Sequence, residues 1–468
     1  MAVKLKKPMQ PVQFMKSQST KVLYVDHWTR GLHNFVLYDS LLKERGCTTK
    51  LFHIGLYRHE DLLPLEIKNG IECANISAYG TRNVGRILDK EQPDVIVALN
   101  HFELFERSLF KAAHNRRIPS VYVMHGIRYE DLGSYRQFYG AHTGIGRRLK
   151  KIPKYIRLMQ MYTSAHLEAD RLYLLKGDLY RVVWGFLSNP IREIYQPVTG
   201  VETQPDLCCL YSDNDADLYR RVYGFDPTKV QVVGNTKLDG LFNHIAEIES
   251  DAYRAKLYES MGLKRGERFI LEIEDCMVKM NPRSFPHDRE AEWFRYMEKA
   301  VEDSGYRFVV KLHPGTDGER FQSIFSKESR TVVVQNTNLD ALIHYSDAVV
   351  GTISTALINA LALRKIILVC DWLDVDMLKG SNIYVKHGGA IRCASKAEFE
   401  GCLRHLHGCE SRLSESRERA IEKLVTYSDG QSCRRAADAI VGIAENFRRQ
   451  RSHKGAMTVH AEQHVGTS

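Results

Sequence analysis

Two patterns of apolar residues alternate along most of the chain. Short unbroken runs of β-branched and aliphatic residues are followed by longer stretches in which apolar residues recur every three or four positions. The first pattern reads as strand, the second as amphipathic helix. "KVLYVD" (21–26) is a strand, residues 30–33 form a loop, and "NFVLYDSLLKERG" (34–46) is a helix closed by Gly46. Strands follow at 49–55, 93–100 and 119–126, with a helix at 103–117 between the last two. Residues 140–200 break the rhythm. It resumes with a strand at 205–212, a helix over 213–223, and "KVQVVGNTKLDGLF" at 229–242. A second series starts near 267, with strands at 267–275, 306–315, 330–336, 347–352 and 365–372. Helices at 287–305, 339–346 and 354–363 separate them, and a final helix covers about 432–449.

Apolar strands alternating with helices make a parallel sheet covered on both faces. Two such series predict an α/β protein of two doubly wound, Rossmann-like domains facing a cleft. The expected boundaries are a flexible N-terminus at 1–20, a first domain at 21–245 with a basic insertion at 140–200, and a second domain at 266–448. A hinge falls near 240–265. The tail at 449–468 lacks apolar periodicity and is expected to be disordered. Ligands of such sheets bind beyond the carboxyl ends of the strands.

Composition narrows this picture only a little. The 468 residues exceed what one core holds, and 44% hydrophobic with 26% charged residues is ordinary for a globular chain. A net charge of +9 favours phosphate, whether in nucleotides, nucleic acid or anionic lipid. Aromatic residues do not interleave with the basic stretch as stacking platforms, so no nucleic-acid partner is expected. The ten cysteines show no CxxC spacing and read as reduced thiols of a cytoplasmic protein without a metal site. The first twenty residues have a basic start but no apolar core of a secretory signal, and no uninterrupted apolar run reaches the ~18 residues that span a bilayer.

Four strand ends carry candidate chemistry. His125-Gly126 closes the strand at 119–126. Its imidazole can serve as a general base, or can simply cap the sheet end. His313-Pro314-Gly315 follows "VVKL", where a stiffened loop lets the imidazole donate toward a phosphate with Lys311 as partner, or makes a plain turn. In "SDAVVGTISTALINALAL" (346–363), Thr352, Ser354 and Thr355 crowd a helix start that could hold phosphate, or cap it in the usual way. Gly234 and Asn235 suit a tight turn or linker. "DND" at 213–215 has the spelling of a metal motif but opens a helix.

Taken in order, "IPSVYVMHG", "KVQVVGNTKLD", "VVKLHPG", "SDAVVGTISTALINALAL" and "DGQSCRRAADAI" resemble the GT-B glycosyltransferases. The similarity is to the superfamily of CDP-glycerol glycerophosphotransferases and capsule polysaccharide glycosyltransferases, and more distantly to UDP-N-acetylglucosamine 2-epimerases. "GLHNFVLYDSLLKERG" also looks like the first loop and helix of a GT-B acceptor domain. The resemblance implies that the first domain holds the acceptor and the second a nucleotide donor. It makes His125 the base on an acceptor hydroxyl; Glu103 is a second catalytic candidate, and Arg30, His33 and Arg128 are candidates at the acceptor. It gives His313, Ser354 and Thr355 to the donor phosphates; Lys311, Thr352 and Asn359 are further candidates at the donor nucleotide. No metal and no cofactor beyond the activated donor is implied. Asn359 stands where many GT-B enzymes carry a ribose-binding Glu. "HGIRYED" and "GTISTALIN" depart from the epimerase pattern, although Glu103 and Glu274-Asp275 could supply the carboxylates that an epimerase or hydrolase needs.

The expectation is therefore a metal-independent glycosyltransferase acting on a surface polysaccharide or lipid-linked glycan. The alternatives are a CDP-polyol phosphotransferase of teichoic-acid type and a nucleotide-sugar 2-epimerase. At 144–166, six basic residues precede Leu158, Met159 and Met161. That mix suits an interfacial helix on anionic lipid, placing the protein peripherally on the inner face of the membrane, or a basic helix packed on its own domain.

Overall fold

The computed structural model describes residues 19–55, 63–126 except 102, and 203–465 except 276–277, 279–284, 353 and 373–381. It also describes five helical positions between 156 and 164. Eight strands form the first sheet. They are β1 (Thr20–Asp26), β2 (Cys47–His53), β3 (Leu65–Lys68), β4 (Ile71–Asn75), β5 (Val95–Ala98), β6 (Ser120–Val123), β7 (Leu207–Leu210) and β8 (Val230–Val232). The order is β3-β4-β2-β1-β5-β6-β7-β8, parallel except for the edge strand β3. Helices α1 (Leu32–Glu44), α2 (Val84–Glu91), α3 (Leu104–Asn115) and α4 (Asp213–Arg221) pack on it.

Alternate residues of each strand feed opposite faces. Leu23, Val25, Phe52, Ile96 and Ala98 join one apolar cluster with α2 and α3. Val22, Tyr24, Leu51, Val95 and Val97 join another with Phe35, Tyr38 and Leu42 of α1. Both faces are dry, which is why these strands read as continuous apolar runs.

The second sheet has β9 (Phe269–Ile273), β10 (Arg307–Lys311), β11 (Val332–Val334), β12 (Ala348–Gly351), β13 (Ile367–Cys370) and β14 (Ile391–Cys393). All pairs are parallel, in the order β11-β10-β9-β12-β13-β14. Between and beyond them run α5 (Leu238–Ile248), α6 (Asp251–Ser260), α7 (His287–Asp303), α8 (Gly318–Gln322), α9 (Leu339–Tyr345), α10 (Leu357–Ala362), α11 (Ile383–Lys386), α12 (Lys396–Arg404), α13 (Leu406–Leu424) and α14 (Ser432–Val465).

The domain boundaries fall elsewhere than the local pattern predicts. Leu238, Leu241 and Ile248 of α5 and Leu257 and Tyr258 of α6 are buried with Phe269, Leu271 and Val349, so the chain has joined the second domain before the expected 240–265 hinge. It then returns. Ala436, Ala437, Ile440, Val441 and Ala444 of α14 are buried against β1, β5 and α1, and Arg45 pairs with Asp438 at 2.5 Å. A segment assigned to the second domain thus belongs to the first. An amphipathic period shows that a helix has a buried face, but not which sheet buries it.

The two crossings are bolted together. Asp239 accepts hydrogen bonds from the Ser432 and Cys433 amides, at 2.9 and 2.6 Å, and so caps α14. Gly234 has φ +94°, and a Cβ there would lie 2.4 Å from Ser432 Oγ. Arg435 Nε donates to the Val233 carbonyl at 2.7 Å. "VVGNTKLD" and "DGQSC" are therefore one joint.

Two further expectations change. The tail at 449–468 is helical as far as Val465, because a helix nucleated by packing can propagate without an apolar face of its own. Leu158 and Met161, read as apolar residues for a membrane, are 2% exposed and lie in the cluster of the first sheet. The basic residues that precede them lie outside the described ones. No described helix is long and apolar enough to cross a membrane. The nine described cysteines are buried free thiols.

Candidate active site

Renumbered within its own sheet, the second domain runs 3-2-1-4-5-6, and the order reverses between β9 and β12. Such a reversal opens a crevice at the strand ends. Glu274 and Asp275 follow β9 there, Thr352 follows β12, and His313 lies two residues past β10 on the neighbouring strand.

Glu274 builds the His313 loop. It is buried, and its Oε2 accepts from the His313 amide at 3.0 Å and from the Thr316 hydroxyl at 2.7 Å. Gln335 ties the other side, donating to the His313 and Thr316 carbonyls at 3.2 and 2.9 Å. Within the loop, the Gly315 amide donates to His313 Nδ1 at 3.0 Å. Nδ1 is then the acceptor, and a neutral imidazole must carry its proton on Nε2. The ring is exposed, so this N–H is a donor at the rim of the sheet.

Other donor-site candidates are committed elsewhere. Lys311 Nζ donates to the Gln335 and Leu312 carbonyls, at 2.7 and 3.2 Å, and staples β10 to the segment after β11. The Thr352 hydroxyl donates to Asp275, and its carbonyl accepts from Asn382 Nδ2 at 2.6 Å. Asn359 Nδ2 donates to Asp340 at 2.6 Å, holding a carboxyl whose pKa burial raises. The helix at 354–363 starts late. Ser354 Oγ accepts from the Ala356 amide, while the amides of Leu357, Ile358 and Asn359 each bond the carbonyl three residues back. These bonds satisfy amides that a longer helix would leave open at its start. Thr355 is exposed beside them.

The first sheet reverses order between β1 and β5. Asp26 and His27 sit at the end of β1, and Glu103 precedes α3, which follows β5. His27 is buried between carboxylates, with Nε2 2.8 Å from Glu106 and Nδ1 3.6 Å from Glu103. Asp26 accepts from the His27 amide at 2.7 Å, yet its pKa is raised to about 7. Burial is the main cause, with Glu106 and Glu103 adding to it against the lowering by His27. A Cβ on Gly31 would lie 1.5 Å from Asp26 Oδ2, so only glycine fits against this carboxyl.

Sequence reasoning placed Glu103 here but missed Asp26, His27 and Glu106. The available signal was the same as for His125: a charged or imidazole side chain directly after an apolar strand. His125 lies two strands over, beyond β6. Its carbonyl accepts from Lys237 Nζ at 2.8 Å, and its Nδ1 is buried. A side chain at Gly126 would meet no atom within 4 Å. Arg30 is exposed and uses its carbonyl to hold the ring of His33, also exposed, in a local turn. Arg128 lies outside the described residues.

Between the domains lies a narrow crevice of about 20 Å³. Tyr211, Ser212, Asp215 and Asn235 line it from the first domain, and Ile358, Ile383, Tyr384 and Leu424 from the second. Burial, with Asp275 and Asp215 nearby, raises the pKa of the Tyr384 hydroxyl. Ser212 caps α4 and donates to Asp215 at 2.6 Å, so the "DND" stretch is a helix start. Among the described residues no cluster of His, Cys, Asp and Glu could hold a metal.

Two Rossmann-type sheets that share a crevice, in a chain that crosses between them twice, make this a GT-B fold. Solved structures agree over nearly the whole chain. The wall teichoic acid polymerase TagF aligns at a TM-score of 0.53 and 10% identity, covering 92% of this chain and 90% of that one. A putative UDP-N-acetylglucosamine 2-epimerase from Listeria monocytogenes aligns at 0.53 and 15% identity, over 92% and 98%. The UDP-GlcNAc 2-epimerase of Neisseria meningitidis, bound to UDP-GlcNAc, aligns at 0.52 and 13%, over 91% and 100%. No protein-family model and no curated protein matches the sequence.

Proposed function

We propose that the protein is a metal-independent transferase that moves a group from a nucleotide-activated donor, held by the second domain, to a hydroxyl acceptor, held by the first. The observation that carries this reading is the His313 loop, in which a glutamate and a glycine amide fix an imidazole with its Nε2–H on the open rim. An N–H so placed can bond a diphosphate in the ground state and strengthen as negative charge builds on the leaving oxygen. His125 takes the acceptor proton as general base. The similar folds support a nucleotide ligand: one solved form of the polymerase was soaked with CDPG, and the meningococcal epimerase holds UDP-GlcNAc.

Sugar transfer to a surface or lipid-linked glycan is the first choice, and transfer of a polyol phosphate is the second. The two share a site and differ in the group on the donor. Epimerisation is less well supported, because Glu274 is taken up by the loop it builds and Asp275 holds Thr352. The test is the melting temperature against CMP, CDP, UDP, GDP and dTDP. A nucleotide at 100 times its Kd adds about 2.7 kcal/mol to stability. A rise with one of them assigns the donor base. No rise at millimolar concentration with any of them removes the transferase reading.

A further inference from the structure

A pocket opens between the edge strand β14 and the corner where α12 meets α13. Cys402 and Cys409 line it, with Arg392, Glu398, His405 and Arg412. Cys393, at the end of β14, adds a third thiol: the Cys402 thiol hydrogen-bonds those of Cys393 and Cys409. Cys409 Sγ also lies 3.8 Å from the Cys402 carbonyl. Buried cysteines usually serve as small apolar residues. Cys208 and Cys209 of β7 fit that description: both are wholly buried, and burial pushes their thiols up. The trio beside β14 differs in contact and in surroundings. Cys402 keeps 8% of its surface and Cys409 3%, and both reach the pocket. Arg392 is paired with Asp371, and Glu398 accepts from the Ala394 amide at 2.9 Å. Arg412 is exposed and makes no hydrogen bond or ion pair among the described residues. The Cys402 thiol is held below the usual thiol range, first by the hydrogen bond from Cys393, then by Cys409 and the Arg412 guanidinium, against its burial and Glu398. The thiolate is the nucleophilic form.

We infer that Cys402 and Cys409 are a peroxide-reactive dithiol, in which Cys402 takes the oxidant and Cys409 closes a disulfide across the α12–α13 corner. The Cys402 sulfur attacks one oxygen of hydrogen peroxide. An S–O bond forms, the O–O bond breaks, and water leaves with the thiol proton. Sulfur is oxidised by two electrons and the peroxide is reduced by two. The Cys409 sulfur then attacks the Cys402 sulfenic acid. The S–S bond forms, the S–O bond breaks, and a second water leaves with the Cys409 proton. Oxidation of Cys402 also removes the charge that, after burial, pushes the Cys409 thiol up. Cys393 is wholly buried, and its hydrogen bond to Cys402 pushes its own thiol up, so it supports the nucleophile and does not compete with Cys409. β14 ends the sheet on the side away from β10, so the dithiol stands apart from the His313 loop and from the transferase reading.

The test is a peptide map of the full chain treated with hydrogen peroxide at neutral pH, then unfolded, alkylated and cut with trypsin. The three thiols fall on separate tryptic peptides, 393–396, 397–404 and 405–412. The expected product joins 397–404 to 405–412 and is undone by dithiothreitol, while Cys208 and Cys209 still alkylate. Cys409→Ala leaves the Cys402 sulfenic acid open, so dimedone should label 397–404 at least tenfold more in C409A than in the parent. Arg412→Gln changes an exposed position, and should slow the crosslink at least threefold with the melting temperature unchanged. The map of the parent decides even where C409A folds poorly. No crosslink, a crosslink through 393–396, oxidation of Cys208 and Cys209 at the same rate, or an unchanged rate in R412Q overturns the inference.

Discussion

The two points where strand order reverses are built from the same residue types in opposite ways. In the second domain the carboxylates are scaffolding: Glu274 accepts an amide and a hydroxyl, and Asp275 accepts from Thr352. Each is hydrogen-bonded, and the group left at the rim is the Nε2 side of the His313 imidazole. In the first domain Asp26, Glu103 and Glu106 crowd one histidine, and the Asp26 carboxyl is driven up to about 7. Structural carboxylates end up hydrogen-bonded. A set held close together at a cost in stability is the mark of a site that handles protons. The contrast fits the proposed division of labour, with donor phosphate at one rim and the acceptor hydroxyl at the other.

The largest expected effect breaks the scaffold. Glu274→Ala leaves the buried Thr316 hydroxyl and the His313 amide without their acceptor. At about 1–3 kcal/mol for an orphaned buried donor, it should cost about 3 kcal/mol in urea denaturation and abolish the nucleotide response. A loss below about 1 kcal/mol would mean that the loop does not depend on this carboxylate.

Asp26→Asn should act in the opposite direction. The folded-state pKa near 7 is above the ordinary 3.8, so folding favours the protonated acid. That contribution is complete below pH ~4 and is lost as pH rises through 7. The amide does not titrate, so the variant should be more stable than the parent at pH 8, and the difference should vanish at pH 4. Stability curves that stay parallel across this range would show that Asp26 is ionised throughout.

Asp239→Ala removes the shared cap of the two crossings and should cost about 1–2 kcal/mol. An unchanged midpoint would show that the joint is held by packing alone. The smallest effect is expected at Lys311. Its ammonium is engaged with two carbonyls, so Lys311→Met should weaken nucleotide binding less than threefold. A tenfold loss would return this lysine to the donor site.

Much of this architecture was legible in the sequence, because strands buried on both faces announce themselves as apolar runs. The strand-end principle put His125 and His313 just beyond apolar strands, and the fold places them after β6 and β10. It failed where the answer depended on distant partners. Nothing local says that Lys311 will find the Gln335 carbonyl, that Thr352 will bond Asp275, or that Asn359 will bond Asp340. The destination of α14 was equally hidden, since its alanines fit any flat helix-packing surface and only the fold places them on α1. Asp26 and His27 could have been found by the strand-end principle already applied to His125. They were missed because "VDHW" carries no glycine or proline to mark a loop.

The division between the rims is tested most directly by calorimetric titration of the nucleotide that gives the greatest thermal shift into the parent, His313→Ala and His125→Ala. Each histidine is removed singly, and stability is checked in parallel. The account predicts a Kd at least tenfold weaker in H313A and within twofold of the parent in H125A. Equal losses in both variants, or a loss confined to H125A, would contradict it.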